Sequence, residues 1–286
     1  MVSHADAANS RNRQRRRSGR ALSWAAAAVF VASGTAGAQV SLAVSPVRVE
    51  LAVVPGQTKT DILTVQNLGE KPQHVRVSVA DWYLTKDGTP VFVKAGKAPE
   101  FSMSEWVEVN PTELQIGPQG SQVLRYTVTV PAGVAAAGYR SAILVETVPE
   151  MVAGQTANVT YLNARIGVVL YNRVGTLPIM AEITDQQVVP DPANSGRLAV
   201  RLTLKNGGTS HYRFRGQSLV QDAEGKTVQT LTVSDAVVLP QSEREVFVPF
   251  EGPPPAGSYT VTSRLDVGLK ELLEIVTRIT PIAAPQ

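Results

Sequence analysis

The 286-residue sequence predicts an all-β chain, two β-sandwich domains following a leader that is removed. Three observations predict this. Short runs rich in valine and threonine alternate apolar and polar residues with a period of two. Clusters of Gly, Pro, Asn and Asp separate the runs. No segment carries a sustained helical period between capping residues. Hydrophobic residues make up 43% of the chain, enough for ordinary cores and too many for a disordered protein.

The leader comes first. Arg11, Arg13, Arg15, Arg16, Arg17 and Arg20 precede an apolar run over 21–32, and small residues end at Ala36-Gly37-Ala38. A basic region, an apolar core and an A-x-A-like site form a secretory signal, with cleavage expected after Ala38. The apolar run is short of the ~18 residues a membrane helix needs, so an uncleaved anchor is the weaker alternative. Residues 1–38 hold six of the 27 basic residues and one of the 24 acidic ones, leaving 21 against 23 and a net charge of −2 on the mature part. The overall +3 is therefore no argument for nucleic-acid binding. The mature chain is expected to be exported and not to insert into a membrane. With no cysteine, it has no disulfides.

The first domain is expected over 39–175. Val47-Arg48-Val49-Glu50-Leu51, Val75-Arg76-Val77-Ser78-Val79 and the run 123–130 alternate as strands do. Pro55-Gly56, Asn67-Leu68-Gly69, Lys86-Asp87-Gly88, Gly117-Pro118-Gln119-Gly120 and Pro131-Ala132-Gly133 supply the turns. A long strand-like run spans 158–173, and Gly175-Thr176-Leu177-Pro178 reads as the linker. The second domain, 176–286, offers runs at 180–189, 198–204, 212–220, 227–233, 245–250, 259–265 and 272–279, the size and strand number of an immunoglobulin-like sandwich. Asn67 follows Leu63-Thr64-Val65 as Asn206 follows Leu202-Thr203-Leu204, which hints at two related domains.

Catalytic chemistry finds no support in the sequence. His4, His74 and His211 lack the spacing of metal ligands and read as solvated or edge-strand side chains. There is no phosphate-binding glycine loop between strand and helix, no G-x-S-x-G elbow and no cysteine nucleophile. The expectation is a protein that is not an enzyme and needs no cofactor.

Several segments in the first domain, in order, resemble the periplasmic chaperones of pilus (fimbrial) assembly. The strongest runs from Trp106 to Arg125, where Pro111, Leu114, Pro118, Gly120, Leu124 and Arg125 fit the family's strand, turn and apolar-Arg pair. Gly138-Tyr139-Arg140-Ser141 opens a second matching strand; Val65-Gln66-Asn67 and Val79-Ala80-Asp81-Trp82 match two more. The likeness covers about residues 40–175; the second domain matches only in general character.

The resemblance implies a fold of two immunoglobulin-like sandwiches and a mechanism. Such a chaperone lends an edge strand to a pilus subunit whose own core is open. A basic pair in the cleft between its domains grips the subunit's terminal carboxylate. Arg48 sits where the family keeps its cleft arginine. The cleft lysine aligns with Gly167, and Arg165, two residues earlier on the same side of the strand, is the candidate replacement. The donated row aligns with Asn158, Thr160 and Leu162, while Val159 and Tyr161 lie on the opposite face. A slip of one residue exchanges the faces, so the whole run 158–166 is the candidate. The implied partners are pilus or similar surface subunits and an outer-membrane usher, and the implied location is the periplasm. The alternative is a structural or adhesion protein that shares this fold without donating a strand, since fold alone does not decide function.

Overall fold

The computed structural model describes residues 42–97, 100–148 and 163–280. They form four antiparallel or mixed sheets packed in pairs, the all-β, two-sandwich fold class expected from the sequence.

The first sandwich uses β1 (Leu42–Ser45), β2 (Arg48–Leu51), β3 (Thr58–Asn67), β4 (Gln73–Leu84), β5 (Pro90–Lys94), β6 (Val107–Asn110), β7 (Glu113–Ile116), β8 (Ser121–Thr129), β9 (Gly138–Thr147) and β10 (Arg165–Arg173). One sheet has the order β1-β3-β8-β6; the other runs β2-β10-β9-β4-β5, with β7 also paired to β4. Strands β1 and β2 are separated only by Pro46 and Val47, yet they belong to opposite sheets. Leu42–Ser45 pairs antiparallel with β3, whereas Arg48 lies opposite Val169 in a parallel pairing with β10.

Alternation explains which side chains go inward. In β3, Leu63, Val65 and Asn67 are buried while Ile62, Thr64 and Gln66 face out, as the pleat requires. Leu63, Val65, Leu124, Tyr126, Ile143, Val145, Val168 and Leu170 meet in the first core. Burial there pushes the Tyr126 phenol up to about 12. Strand β9 is different, being buried almost throughout. Its sequence is apolar on both faces because Ile143 and Val145 enter the core while Ala142 and Leu144 are covered from outside.

Residues 174–180 carry no strand. The second sandwich follows with β11 (Ala181–Pro190), β12 (Leu198–Asn206), β13 (Tyr212–Gln221), β14 (Thr227–Val238), β15 (Glu243–Pro249), β16 (Tyr259–Asp266) and β17 (Leu273–Ile279). Its sheets are β11-β12-β15 and β14-β13-β16-β17. Leu202, Leu204, Phe214, Val220, Leu231, Phe250 and Val261 fill a second core. Within it, Ser263 Oγ donates to Gln186 Oε1 and lies 2.6 Å from Ser218 Oγ, while Gln186 Nε2 donates to the Val261 carbonyl at 2.9 Å. These buried polar groups satisfy one another across the two sheets.

A third apolar cluster joins the sandwiches. Ala80, Trp82, Ala142, Leu144 and Tyr171 on the outer face of the β2-β10-β9-β4-β5 sheet meet Val237 and Leu239 of the second sandwich. Around it, the Gly138 N–H donates to the Thr209 carbonyl at 2.8 Å, and the Glu245 N–H donates to the Lys86 carbonyl at 2.7 Å. Lys86, in the β4–β5 turn, also lies 3.5 Å from Glu243 and 3.8 Å from Glu245.

Candidate functional site

The outer face of the β2-β10-β9-β4-β5 sheet carries Arg48 and Arg165, the two arginines singled out from the sequence as site residues. In β2, Val49 packs on the core and Leu51 is buried in it, so Arg48 and Glu50 point outward toward the second sandwich. In β10, Ile166, Val168 and Leu170 face the core, which puts Arg165, Gly167, Val169 and Tyr171 on the outer face with them.

Arg48 stands at the junction of the sandwiches. Its Nη1 lies 3.9 Å from Asp235 Oδ2 of β14. Arg213 of β13 grips the same carboxylate. Its Nε donates to Oδ1 at 3.1 Å and to Oδ2 at 3.2 Å, and its Nη2 also donates to Oδ2. Hydrogen bonding from Arg213 holds the Asp235 carboxyl below its usual value, with the charges of Arg213, Arg48 and Arg215 adding to the effect.

Beside Arg48, Glu50 Oε2 lies 3.4 Å from His211 Nε2. The expectation of a solvated or edge-strand His211 is corrected here. The ring is buried at the junction and stacks on Tyr171 with centroids 4.0 Å apart. It faces Tyr171 because the turn before β13 folds back onto the first sandwich, which no local pattern announces. Tyr171 in turn meets Trp82 edge-on at 5.8 Å, and burial raises its phenol strongly.

Trp82 and Arg140, both in segments that resembled the pilus chaperones, come together in the same wall. The Trp82 indole donates to the Ser141 carbonyl at 3.0 Å, and Arg140 Nε donates to the Trp82 carbonyl at 3.1 Å. Burial pulls the Arg140 guanidinium down from its usual value.

Arg165 is not brought to Arg48. Arg48 lies opposite Val169, four residues along β10, or about 13 Å at ~3.3 Å per residue. Arg165 pairs instead with Glu146, its neighbour across β9. Gly167, between them, is covered by an aromatic ring: a Cβ placed there would lie 2.6 Å from Phe92 Cζ. Phe92 of β5 thus occupies the space above the position aligned with the family's lysine. Asn158, Val159, Thr160, Tyr161 and Leu162 lie outside the described residues.

The edge of β10 changes character along its length. From Val169 to Asn172 it has β9 on one side and β2 on the other. From Arg165 to Val168 it pairs only with β9 among the described residues. A strand added there and running parallel to β10 would be collinear with β2 and would end where β2 begins, next to Arg48.

Arg48, singled out from the sequence, stands at the junction; Asp235, Arg213, Glu50, His211 and Phe92, which surround it or cover Gly167, were not singled out as site residues. All five act across strand pairs or between the sandwiches, where spacing along the chain carries no signal.

No family model matches this chain. No curated protein matches it either. Solved structures similar to it include the YadV chaperone, with 14% identity over 84% of this chain and 100% of that one and a TM-score of 0.46. The Escherichia coli chaperone DraB shows 20% identity over 82% of this chain and 95% of its own, with a TM-score of 0.41. The Pseudomonas aeruginosa CupB2 chaperone shows 15% identity over 83% of this chain and 99% of its own, with a TM-score of 0.41.

Proposed function

We propose that this chain is a periplasmic, non-enzymatic chaperone that stabilises pilus or similar surface subunits by strand addition along β10 and passes them to an outer-membrane usher. The observation that carries this reading is the edge of β10 from Arg165 to Val168, which among the described residues pairs only with β9 and runs up to the point where Arg48 begins β2. Open backbone donors and acceptors offer an incoming strand main-chain hydrogen bonds. A subunit strand running parallel to β10 would bring its terminal carboxylate to an arginine able to receive it with charge-assisted bonds. The segment 158–162 would extend the donated edge, and residues 39–175 and 176–286 are taken as the two domains of the mature chain.

The test is co-expression with a pilin-like subunit followed by pull-down. Co-purification and a subunit that is soluble only in the presence of this chain are the expected results. A subunit equally soluble alone sinks the reading.

One observation favours the alternative, a structural or adhesion protein of the same fold. Phe92 covers Gly167 and Arg165 is tied to Glu146, so the first sandwich presents Arg48 without a second cation beside it. Recovery of the chain from assembled surface fibres, in place of the free periplasmic pool, would select that reading.

A further inference from the structure

We infer that Asp235 is an internal occupant of the Arg48 site, that Arg213 of the second sandwich is the second cation of that site, and that an incoming carboxylate must displace Asp235 to bind. This rests on the reading of Arg48 as the receiver of a chain end.

The geometry is that of a filled carboxylate site. Arg213 engages both oxygens of Asp235 through Nε and Nη2, the fork that a guanidinium presents to any carboxylate. Arg48 approaches Oδ2 from the other sandwich. Asp235 is therefore placed where a free carboxylate would be shared by both arginines. Two neighbouring charges are already matched, Arg215 lying 3.5 Å from Asp266 and Glu50 beside His211, while Arg244, within the field of Arg213, donates to the Val237 carbonyl at 2.6 Å. A ligand carboxylate gains its place at Arg48 and Arg213 by exchange with Asp235.

The occupant is poised to leave. The Asp235 side chain is 53% exposed and Arg48 is 44% exposed. The 3.9 Å contact with Arg48 is weak and screened by salt, and the two-point grip of Arg213, itself 28% exposed, is the hold that a competing carboxylate must replace. Exchanging one carboxylate for another leaves the charge at the two arginines unchanged, so a lone small carboxylate gains little. A carboxylate at the end of a strand already paired along β10 arrives at high effective concentration and can win the exchange. Asp235 would thus make the site selective for chain ends delivered in register and would keep it closed to small anions.

The experiment uses the full mature chain and two probes. Acetate is titrated into the wild type, Asp235→Asn and Asp235→Ser while the Nε–H resonances of Arg48 and Arg213 are followed by NMR. An acetylated octapeptide of alternating valine and threonine is then compared as free acid and as amide. Acetate should shift both resonances saturably in the two variants and much less in the wild type. If Asp235 holds the arginines about nine-tenths of the time, removing it should tighten free-acid binding about tenfold and leave the amide unchanged. Adding Arg213→Gln to Asp235→Asn should reverse the gain. Unshifted arginine resonances in both variants, or free-acid binding no tighter without Asp235, overturn the inference. Equal binding of acid and amide to wild type and to Arg48→Ala, with the acetate response intact, would overturn the chain-end reading of Arg48 and leave the exchange itself standing.

Discussion

Asn206 makes in the second sandwich the bonds that Asn67 makes in the first. Each side chain is fully buried at the end of a strand. Asn67 Nδ2 donates to the carbonyl of Lys71, four residues on, at 2.7 Å; Asn206 Nδ2 donates to that of Ser210, also four residues on, at 2.9 Å. Each Oδ1 accepts the N–H two residues later, from Gly69 and Gly208, at 2.9 Å. Each Nδ2 also reaches the last carbonyl of a neighbouring strand, Ile116 or Val238, at 3.2 Å. Gln119 and Gln241, both at positive φ, close the two turns by donating to Leu68 and Gly69 and to Gly207 and Gly208.

Replacing either asparagine with alanine should therefore damage its own sandwich. The lost amide leaves several buried backbone groups without partners, at about 1–3 kcal/mol each before relaxation and solvent entry. A net loss of about 2–4 kcal/mol is expected for Asn67→Ala and again for Asn206→Ala. Urea unfolding followed by NMR should show Asn67→Ala lowering the midpoint of first-sandwich resonances and Asn206→Ala that of the second. A variant with an unchanged midpoint would mean that water replaces the side chain.

The junction between the sandwiches should be sensitive to Leu239. It is 3% exposed and packs with Val237 against Trp82, Leu144 and Tyr171. Leu239→Ser removes apolar contact and introduces a hydroxyl that needs a partner, which weakens the junction without entering either sandwich core. Scattering should record a wider range of inter-sandwich distances, and the Trp82 environment should become more polar by fluorescence. Unaltered scattering would show that the polar contacts across the junction, the Gly138–Thr209 and Lys86–Glu245 backbone bonds and the Arg48–Asp235 and Glu50–His211 pairs among them, hold the sandwiches without Leu239.

Acid should release Asp235 late. Its carboxyl is held below the usual value first by hydrogen bonding from Arg213 and then by the charges of Arg213, Arg48 and Arg215. A depressed folded-state value means that the group adds stability above its unfolded pKa, roughly 3.9, and that the contribution is lost as pH falls through the folded value. Carbon NMR of the carboxyl should show it titrating below ordinary aspartates, and Arg213→Gln should move it upward. No movement in that variant would assign the effect to Arg48 and Arg215.

The strands were legible because the pleat imposes a period of two on any sheet with one wet face, as in 123–130, which is β8 with one residue trimmed at its end and two added at its start. The paired asparagines were legible too, from the apolar-Thr-apolar steps before each of them. A further signal lay beside them, the Pro-Gln pairs Pro118-Gln119 and Pro240-Gln241 that close both turns. Of the residues that meet at the junction, the sequence singled out Arg48 alone, and only through a resemblance. Asp235 and Arg213 approach it from strands far along the chain, and Phe92 reaches Gly167 across the sheet, so their roles depend on packing that spacing does not encode.

Gly167 offers the sharpest test of what the outer face of β10 can receive. A side chain there meets Phe92, whose ring stands 2.6 Å from an added Cβ, so Gly167→Lys alone must push the ring out of the cluster formed with Trp82, Leu144 and Val169. That displacement should destabilise the first sandwich by about 1–3 kcal/mol, in the range of overpacked positions. Phe92→Ala with Gly167→Lys opens the space and sets an ammonium two residues from Val169, which lies opposite Arg48. If the site receives a chain-end carboxylate, the double variant should prefer a free-acid peptide over its amide more strongly than the wild type does, with Phe92→Ala alone showing no such gain. Equal preference in the double variant and in Phe92→Ala would place the second cation elsewhere and leave Arg213 as the one beside Arg48.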